Sequence, residues 1–235
     1  MVDVAVVDYG MGNLRSVQQA VRKVSPKYYF EGKGSCLEHF WQHALRLVAP
    51  DASVCVTDDA KVITSAKRVI FPGQGAMPDC MRELDARGLR DAVLDAAHNK
   101  PFLGICIGLQ MLFEHSDEGN VAGLGILRGK VVRFASDMHD AQGNKLKVPH
   151  MGWNQVHHAH HPLWNGIEQD ARFYFVHSYY VQPGDATLIQ ATSDYPQHFA
   201  CAVARDNLFA VQFHPEKSAN AGLRLLRNFV DWDPV

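Results

Sequence analysis

The chain has 235 residues, of which 47% are hydrophobic and 20% are charged, a composition typical of a soluble globular protein and not of a disordered or fibrous one. Its formal net charge of −2 and its lack of Lys/Arg clusters argue against a nucleic-acid partner or an anionic membrane surface. No segment supplies the roughly 18 uninterrupted apolar residues of a membrane span. We therefore expect one cytoplasmic domain over residues 1–235 that acts on a small neutral or zwitterionic substrate.

The cysteines form an odd set without a CxxC pair, at Cys36, Cys55, Cys80, Cys106 and Cys201. This pattern predicts neither a disulfide framework nor a zinc ribbon, so we expect reduced thiols that mostly serve packing. The histidines at His157, His158, His160 and His161 have no matching second group of ligands nearby. A solvated loop is the favoured interpretation of that cluster, and no metal is expected.

Short apolar, β-branched runs alternate with segments of helical period in the first half of the chain. The strands are predicted at 4–7, 54–56, 68–71 and 101–105, and helices at 14–24 and 84–97. Closely spaced strands follow at 131–134, 173–176, 188–192, 200–204 and 209–213, before a last helix at 218–230. This order predicts an α/β fold with a largely parallel sheet, flanked by helices and extended by antiparallel strands in the C-terminal half.

A cysteine stands where the fourth predicted strand ends. Gly104 precedes Cys106 by two residues and Gly108 follows it by two, the spacing of a nucleophile elbow. Such a turn exposes the thiol, places it at a helix N-terminus that favours the thiolate, and aims the Ile107 N–H at a tetrahedral oxyanion. A buried structural cysteine beside two incidental glycines explains these residues equally well.

A base for such a nucleophile is predicted at His214, which follows an apolar strand. Pro215 keeps His214 extended, so Glu216, two residues on, lies on the same face and can bind the far ring nitrogen. A turn with a solvated glutamate is the alternative. A loop with Gly73 and Gly75 also follows a strand, where a peptide N–H could complete an oxyanion site or simply form a tight turn.

With Gln110 the elbow reads GxCxGxQ, and together with His-Pro-Glu it resembles the class I glutamine amidotransferases. The resemblance implies a flavodoxin-like open sheet and a Cys106–His214–Glu216 triad that hydrolyses glutamine without a cofactor. It also implies that Gln110 helps to hold the substrate. The elbow and the His-Pro-Glu segment alone fit any member of the class, as well as a γ-glutamyl hydrolase or peptidase of this fold or a non-catalytic subunit.

Four further segments, at 8–13, 72–78, 149–154 and 173–180, resemble the glutaminase subunits of imidazole glycerol phosphate synthase, a histidine-biosynthesis enzyme. The resemblance implies that the substrate pocket includes Glu118, His177, Ser178 and Tyr179. It further implies that Asn13, Trp153 and Asn154 face a cyclase partner with a (β/α)8 barrel, although a helix cap and a core tryptophan are alternatives. Such a barrel needs about 250 residues, so we expect a separate chain and a heterodimer that receives the ammonia.

One segment departs from the pattern of that family. The connection at about 26–50, between the first helix and the second strand, is longer than usual and contains apolar residues at helical spacing. It predicts an extra amphipathic helix that contains no catalytic motif.

Overall fold

A computed structural model describes residues 2–11, 44, 52–140 and 142–234. The strands are β1 (Val4–Val7), β2 (Val54–Thr57), β3 (Arg68–Gly73), β4 (Phe102–Cys106), β5 (Phe113–Ser116), β6 (Val121–Ala122), β7 (Leu127–Arg133), β8 (His150–Gln155), β9 (His157–His158), β10 (Arg172–His177), β11 (Tyr179–Pro183), β12 (Ile189–Asp194), β13 (His198–Arg205) and β14 (Leu208–Val211). The helices are α1 (Ala60–Ser65), α2 (Met77–Ala86), α3 (Arg90–Asn99), α4 (Ile107–Gln110) and α5 (Ala219–Asp231), with 3-10 turns at Pro162–Trp164, Ala186–Leu188 and Pro215–Lys217. The predicted helix at 14–24, Asn13 and, except for Ala44, the segment at 26–50 lie outside the described residues.

The main sheet has the order β2-β1-β3-β4-β14-β13-β11-β7-β5-β6. Its first five strands pair in parallel, and their order is that of flavodoxin-like folds, in which ligands bind at the carboxyl ends of the strands. Antiparallel pairs then join β14 to β13, β13 to β11 and β11 to β7. The predicted fold class, a mostly parallel open sheet with antiparallel additions, is confirmed.

The core follows from the burial of the central strands on both faces. Every residue of β1, β4 and β14 is buried, as expected where helices cover a parallel sheet on both sides. Helix α5 packs against this core through Leu225, Leu226 and Phe229. Within the described residues, none of the helices has the length and apolar character needed to cross a membrane.

The prediction of one helix over 84–97 is wrong. Helix α2 ends at Ala86 and α3 begins at Arg90, with Gly88 between them at a φ of 66°. Glycine adopts this left-handed conformation without a steric penalty and so ends a helix. Arg90 spans the break by donating to both carboxylate oxygens of Asp85, at 2.6 and 2.9 Å. The apolar spacing alone does not show such a break, and the sequence signal for it is Gly88.

A close approach between β3 and the turn after β4 yields a stability prediction. A Cβ added to Gly108 would lie 1.9 Å from the backbone oxygen of Phe71, which a central strand cannot move aside. We expect Gly108→Ala to cost about 3 kcal/mol and to lower Tm by roughly 6–12 °C, measured by circular dichroism. Gly184→Ala is the control, because its added Cβ meets nothing nearer than 3.5 Å. Equal melting of the two variants would contradict the close approach.

Candidate active site

The turn at Cys106 has the sharp geometry expected of an elbow. Cys106 ends β4 with φ 57° and ψ −112°, a strained backbone conformation for a residue with a Cβ. Small neighbours permit it, since a Cβ on Gly104 would lie 3.0 Å from the Ala210 Cβ. The helix that follows, α4, is only four residues long. The thiol therefore lies at the N-terminus of a single helical turn, and only the dipole of that turn acts on it.

Cys106 opens into a cavity of about 420 Å³ at the carboxyl ends of the parallel strands. The cavity brings together most of the predicted site residues, namely Gly75, Cys106, Ile107, Gln110, Glu118, His177, Ser178, Tyr179 and His214. Gly73 and Glu216 do not line the cavity, and Glu216 is connected to it through its hydrogen bond with His214. The cavity is therefore large enough for an amino acid and has the nucleophile and the base on its surface.

His214 and Glu216 form a buried ion pair beside the nucleophile. The Nδ1 of His214 donates to the Oε1 of Glu216 at 2.7 Å, and both side chains are almost wholly buried. Burial alone would lower the pKa of His214, but the charges of Cys106 and Glu216 and the hydrogen bonds to both raise it to about 10. Burial would likewise raise the pKa of Glu216, and the neighbouring imidazolium lowers it instead. The arrangement therefore favours the imidazolium form of His214.

The backbone of His214 is fixed by strand β10. Its N–H donates to the Tyr174 carbonyl at 2.9 Å. Ser218 completes the clamp, because its hydroxyl donates to the His214 carbonyl at 2.6 Å and accepts from the Tyr174 N–H at 2.9 Å. Since both backbone groups of His214 are bonded, the ring can move toward or away from the sulfur only through side-chain torsions.

The glycine loop after β3 sits against the elbow. An added Cβ on Gly73 would lie 2.7 Å from the Gly108 nitrogen, and Gly75 has a φ of 99°. Glu118 holds the far end of the loop, where its Oε2 accepts from the Met77 N–H at 2.9 Å. The loop thus has the conformational freedom that an oxyanion contribution requires, and a carboxylate fixes its exit.

His177 uses both ring nitrogens internally. Its Nδ1 donates to the Tyr179 carbonyl at 2.8 Å, and its Nε2 accepts from the Nδ1 of His150 at 3.0 Å. The Nε2 of His150 in turn accepts from the Asn154 amide at 3.2 Å. Burial lowers the pKa of His177 to about 3 and that of His150 to about 4. His177 is thus a neutral wall of the cavity.

A second glutamine, absent from the sequence-based prediction, touches the nucleophile. Gln110 Nε2 donates to the Tyr179 carbonyl and to Gln212 Oε1, each at 3.0 Å. Gln212 Nε2 lies 3.8 Å from the sulfur of Cys106. The signal that could have identified Gln212 is its polarity within the apolar run 208–213, because a buried amide needs a hydrogen-bond partner.

Of the residues predicted at the partner face, Trp153 and Asn154 lie on β8, and Asn13 lies outside the described residues. Trp153 has 49% of its surface exposed and Met151 has 62%, and the Trp153 ring contacts Tyr174 edge-on, with centroids 6.1 Å apart. Trp153 is therefore not a core residue. Asn154 is partly buried, and its amide also donates to the Asp194 carbonyl at 2.8 Å.

The interpretation of residues 157–161 as a solvated loop is wrong for His157 and His158, whereas His160 is exposed and lies outside the strands and helices. His157 and His158 form β9 and pair with β12. His158 stacks on Trp164 with ring centroids 4.8 Å apart, and His161 packs against Phe209. Aromatic contacts and strand pairing therefore hold this segment. Among the residues described, no group of three or more His, Cys, Asp or Glu side chains is arranged to hold a metal ion.

The fold and the site together define a class. Residues 33–232 match the family model of the class I glutamine amidotransferases, to which the chain therefore belongs. Over 99% of its length it is 61% identical to imidazole glycerol phosphate synthase subunit HisH of Thiobacillus denitrificans, covering 92% of that protein. Over 100% of both chains it is 61% identical to the HisH subunit of Nitrosospira multiformis. Within the class, its family is that of HisH.

Solved structures agree on the fold. A putative GMP synthase component from Thermoplasma acidophilum superposes with a TM-score of 0.63 at 18% identity, over 98% of this chain and 93% of that one. A glutamine amidotransferase from Thermotoga maritima gives a TM-score of 0.57 at 16% identity, over 94% and 78% of the two chains. At these identities the likeness concerns the fold alone.

The buried histidines predict a loss of stability in mild acid. Their folded pKa values of about 3 and about 4 lie below the ordinary value of 6.5, so protons bind the unfolded chain first as the pH falls. The stabilisation is present above pH 6.5 and is lost between pH 6.5 and about 4 for His150, and between pH 6.5 and about 3 for His177. We expect each histidine to account for about 2 kcal/mol of lost unfolding free energy from pH 7 to pH 5.

Urea unfolding of wild type and His150→Gln at both pH values measures this effect. The variant should be less stable at pH 7 and should lose less stability on acidification. His98→Gln, at an exposed position in α3, is the control and should keep the wild-type pH dependence. A His150→Gln variant with that same dependence would show that His150 binds its proton equally in both states.

Proposed function

We propose that this chain is the glutaminase subunit of an imidazole glycerol phosphate synthase. It hydrolyses L-glutamine to glutamate and ammonia with Cys106 as nucleophile, His214 as acid and base, and Glu216 as the group that orients His214. One observation carries the proposal, namely the thiol at the surface of an amino-acid-sized cavity beside the buried His214–Glu216 pair. The HisH relatives, 61% identical over nearly the whole chain, support the same assignment.

The raised pKa of His214, about 10, sets the order of its roles. The resting site holds the thiolate and the imidazolium. The sulfur attacks the carboxamide carbon of glutamine, and the carbonyl oxygen takes the negative charge. As the C–N bond breaks, His214 gives its proton to the leaving nitrogen and ammonia departs, leaving a thioester.

Water completes the cycle. Neutral His214 removes a proton from water, the resulting hydroxide attacks the thioester carbon, and the C–S bond breaks to return the thiolate. The products are glutamate and ammonia, and the imidazolium is regenerated. Glu216 keeps the far ring nitrogen protonated throughout, so the other nitrogen faces the reaction.

Substrate recognition is assigned to the remaining cavity residues. The Ile107 N–H and a peptide N–H of the loop at Gly73 and Gly75 bind the oxyanion. Gln110 lines the cavity as well, and its part in substrate binding is assigned by its motif.

The carboxylate of Glu118, which lines the same cavity, is assigned to the ammonium group of glutamine. His177, Ser178 and Tyr179 form the facing wall. His177 contributes shape there, because its ring nitrogens are already bonded.

The ammonia acceptor is assigned to a separate cyclase subunit with a (β/α)8 barrel, in a heterodimer. Names of the relatives identify them as subunits of a synthase, which implies a partner subunit. The exposed Trp153 and Met151 side chains on β8 supply an apolar surface for that partner. Asn154 lies on the same strand, and Asn13 is assigned to this face by its motif.

We expect Cys106→Ser to abolish glutamine-dependent synthesis of imidazole glycerol phosphate by the mixed subunits while ammonia-dependent synthesis stays near the wild-type rate. The thiol only generates ammonia, so free ammonia bypasses it. A serine hydroxyl of similar size is far less acidic than a thiol, and His214 does not activate it well. The assay measures product with glutamine or with an ammonium salt at alkaline pH.

Cys55→Ser is the matched control, because Cys55 lies in β2 at the far edge of the parallel strands. It should keep both activities. Loss of both activities by an assembled Cys106→Ser complex would mean that Cys106 does more than release ammonia. Retention of both would remove Cys106 as the nucleophile.

Trp153→Ala is expected to weaken binding to the cyclase by about 2 kcal/mol, close to 30-fold in Kd, with little change in Tm. The reason is that nearly half of the Trp153 surface is exposed and its ring contact is edge-on with Tyr174. Titration calorimetry and thermal melting separate the two effects. His98→Ala should alter neither. Normal binding by Trp153→Ala would place the cyclase on another face.

A further inference from the structure

We propose that Gln212 is a further catalytic residue, whose carboxamide N–H donates to the sulfur of Cys106 and stabilises the thiolate. Gln110 holds Gln212 in the required orientation and is a positioning residue in this respect. The inference deepens the proposed glutaminase function and rests on it. It assigns to Gln212 a direct contact with a reacting atom, at 3.8 Å between Nε2 and Sγ.

The orientation of both amides follows from one backbone carbonyl. The Tyr179 oxygen can only accept, so the Gln110 atom 3.0 Å from it must be the nitrogen. That same nitrogen lies 3.0 Å from one end of the Gln212 amide, and this end must therefore be the oxygen. The other end of Gln212, nearest to Cys106, is then the NH₂ group. The relay has one consistent direction, from Tyr179 through the two glutamines to the sulfur.

Burial makes the reversed orientation costly. Gln212 is fully buried and Gln110 is 1% exposed, so water cannot satisfy either amide. Turning Gln212 over would set two NH₂ groups against each other and would point an acceptor oxygen at a thiolate. Each change removes a hydrogen bond in a site of low dielectric, where an unpaired polar group is destabilising.

The role differs from that of His214. The imidazolium transfers a proton during the cycle, whereas a carboxamide keeps its N–H at every pH of interest. Gln212 can therefore bind the sulfur whenever it is charged, before attack and again as the thioester breaks. It does not line the cavity, so its loss should lower kcat and leave KM close to the wild-type value.

A test that needs no glutamine is alkylation of Cys106 by iodoacetamide in the free chain. Peptide-level mass spectrometry separates Cys106 from the other cysteines. We expect Gln212→Leu to slow alkylation at pH 7 about tenfold, because the thiolate loses a donor, and to move the alkylation profile to higher pH. The titratable groups around Cys106 are His214, Glu216, Tyr9 and Cys80. None of these residues is substituted in the variants, so they affect every alkylation profile in the same way.

Two further variants distinguish the direct contact from general packing. Gln110→Leu breaks the same bond between the glutamines but leaves the Gln212 amide beside the sulfur, so its alkylation should slow less. Ser193→Ala removes a buried hydroxyl without a partner among the described residues, and it should alkylate like wild type. If Gln212→Leu does not fold, Gln212→Asn serves instead, because it keeps an amide but is one methylene too short to reach the sulfur.

Folded Gln212→Leu with a wild-type alkylation profile would overturn the inference. Equal slowing by Ser193→Ala would also overturn it, since the effect would then belong to the loss of any buried polar group. The cyclase-bound enzyme gives the second readout, in which kcat for glutamine should fall about tenfold in Gln212→Leu at constant KM. A different result would show that the proposed function itself is wrong. In that case the wild-type protein would be alkylated at Cys106 but would have no glutaminase activity with the cyclase.

Discussion

The strained backbone of Cys106 is the constraint on which the rest of the site depends. With a φ of 57° between a central strand and a single helical turn, the residue presents its sulfur above the edge of the sheet. The small residues Gly73 and Gly108 let β3 and the turn meet at backbone distance. Because parallel neighbours end at the same edge, β3 delivers the glycine loop and β14 delivers His214 to the same place.

The two-stranded sheet of β8 and β10 closes the site from outside the main sheet. One side of it exposes Met151 and Trp153, and the other buries His150 and His177. The buried side combines these two histidines, whose ring nitrogens are all hydrogen-bonded, with two phenylalanine rings of β10, and this gives it a defined geometry. The same ribbon also bonds the backbone of His214, so it combines an exposed apolar surface with support for the catalytic base.

The buried strands and the elbow could be predicted because each depends on local sequence. Strand β1 is a continuous β-branched run, and the spacing of Gly104 and Gly108 determines the turn at Cys106. The break at Gly88 is not visible in the apolar spacing of 84–97, although a glycine within a helical pattern is a signal for a helix end. The contact between Gln212 and the sulfur depends on residues about 100 positions apart. Only the packed sheet brings them together.

Two hydrogen-bonded groups of side chains, the two glutamines beside the nucleophile and the two buried histidines, share one acceptor. It is the carbonyl of Tyr179, which accepts from Gln110 and from His177. A carbonyl belongs to the main chain, and every amino acid, proline included, supplies one. Side-chain replacement at this position therefore cannot delete the junction. A different side chain at residue 179 would change the shape of the cavity wall, but the amides beside the nucleophile would keep their orientation. The substrate pocket and the reactive centre can therefore vary independently at this position.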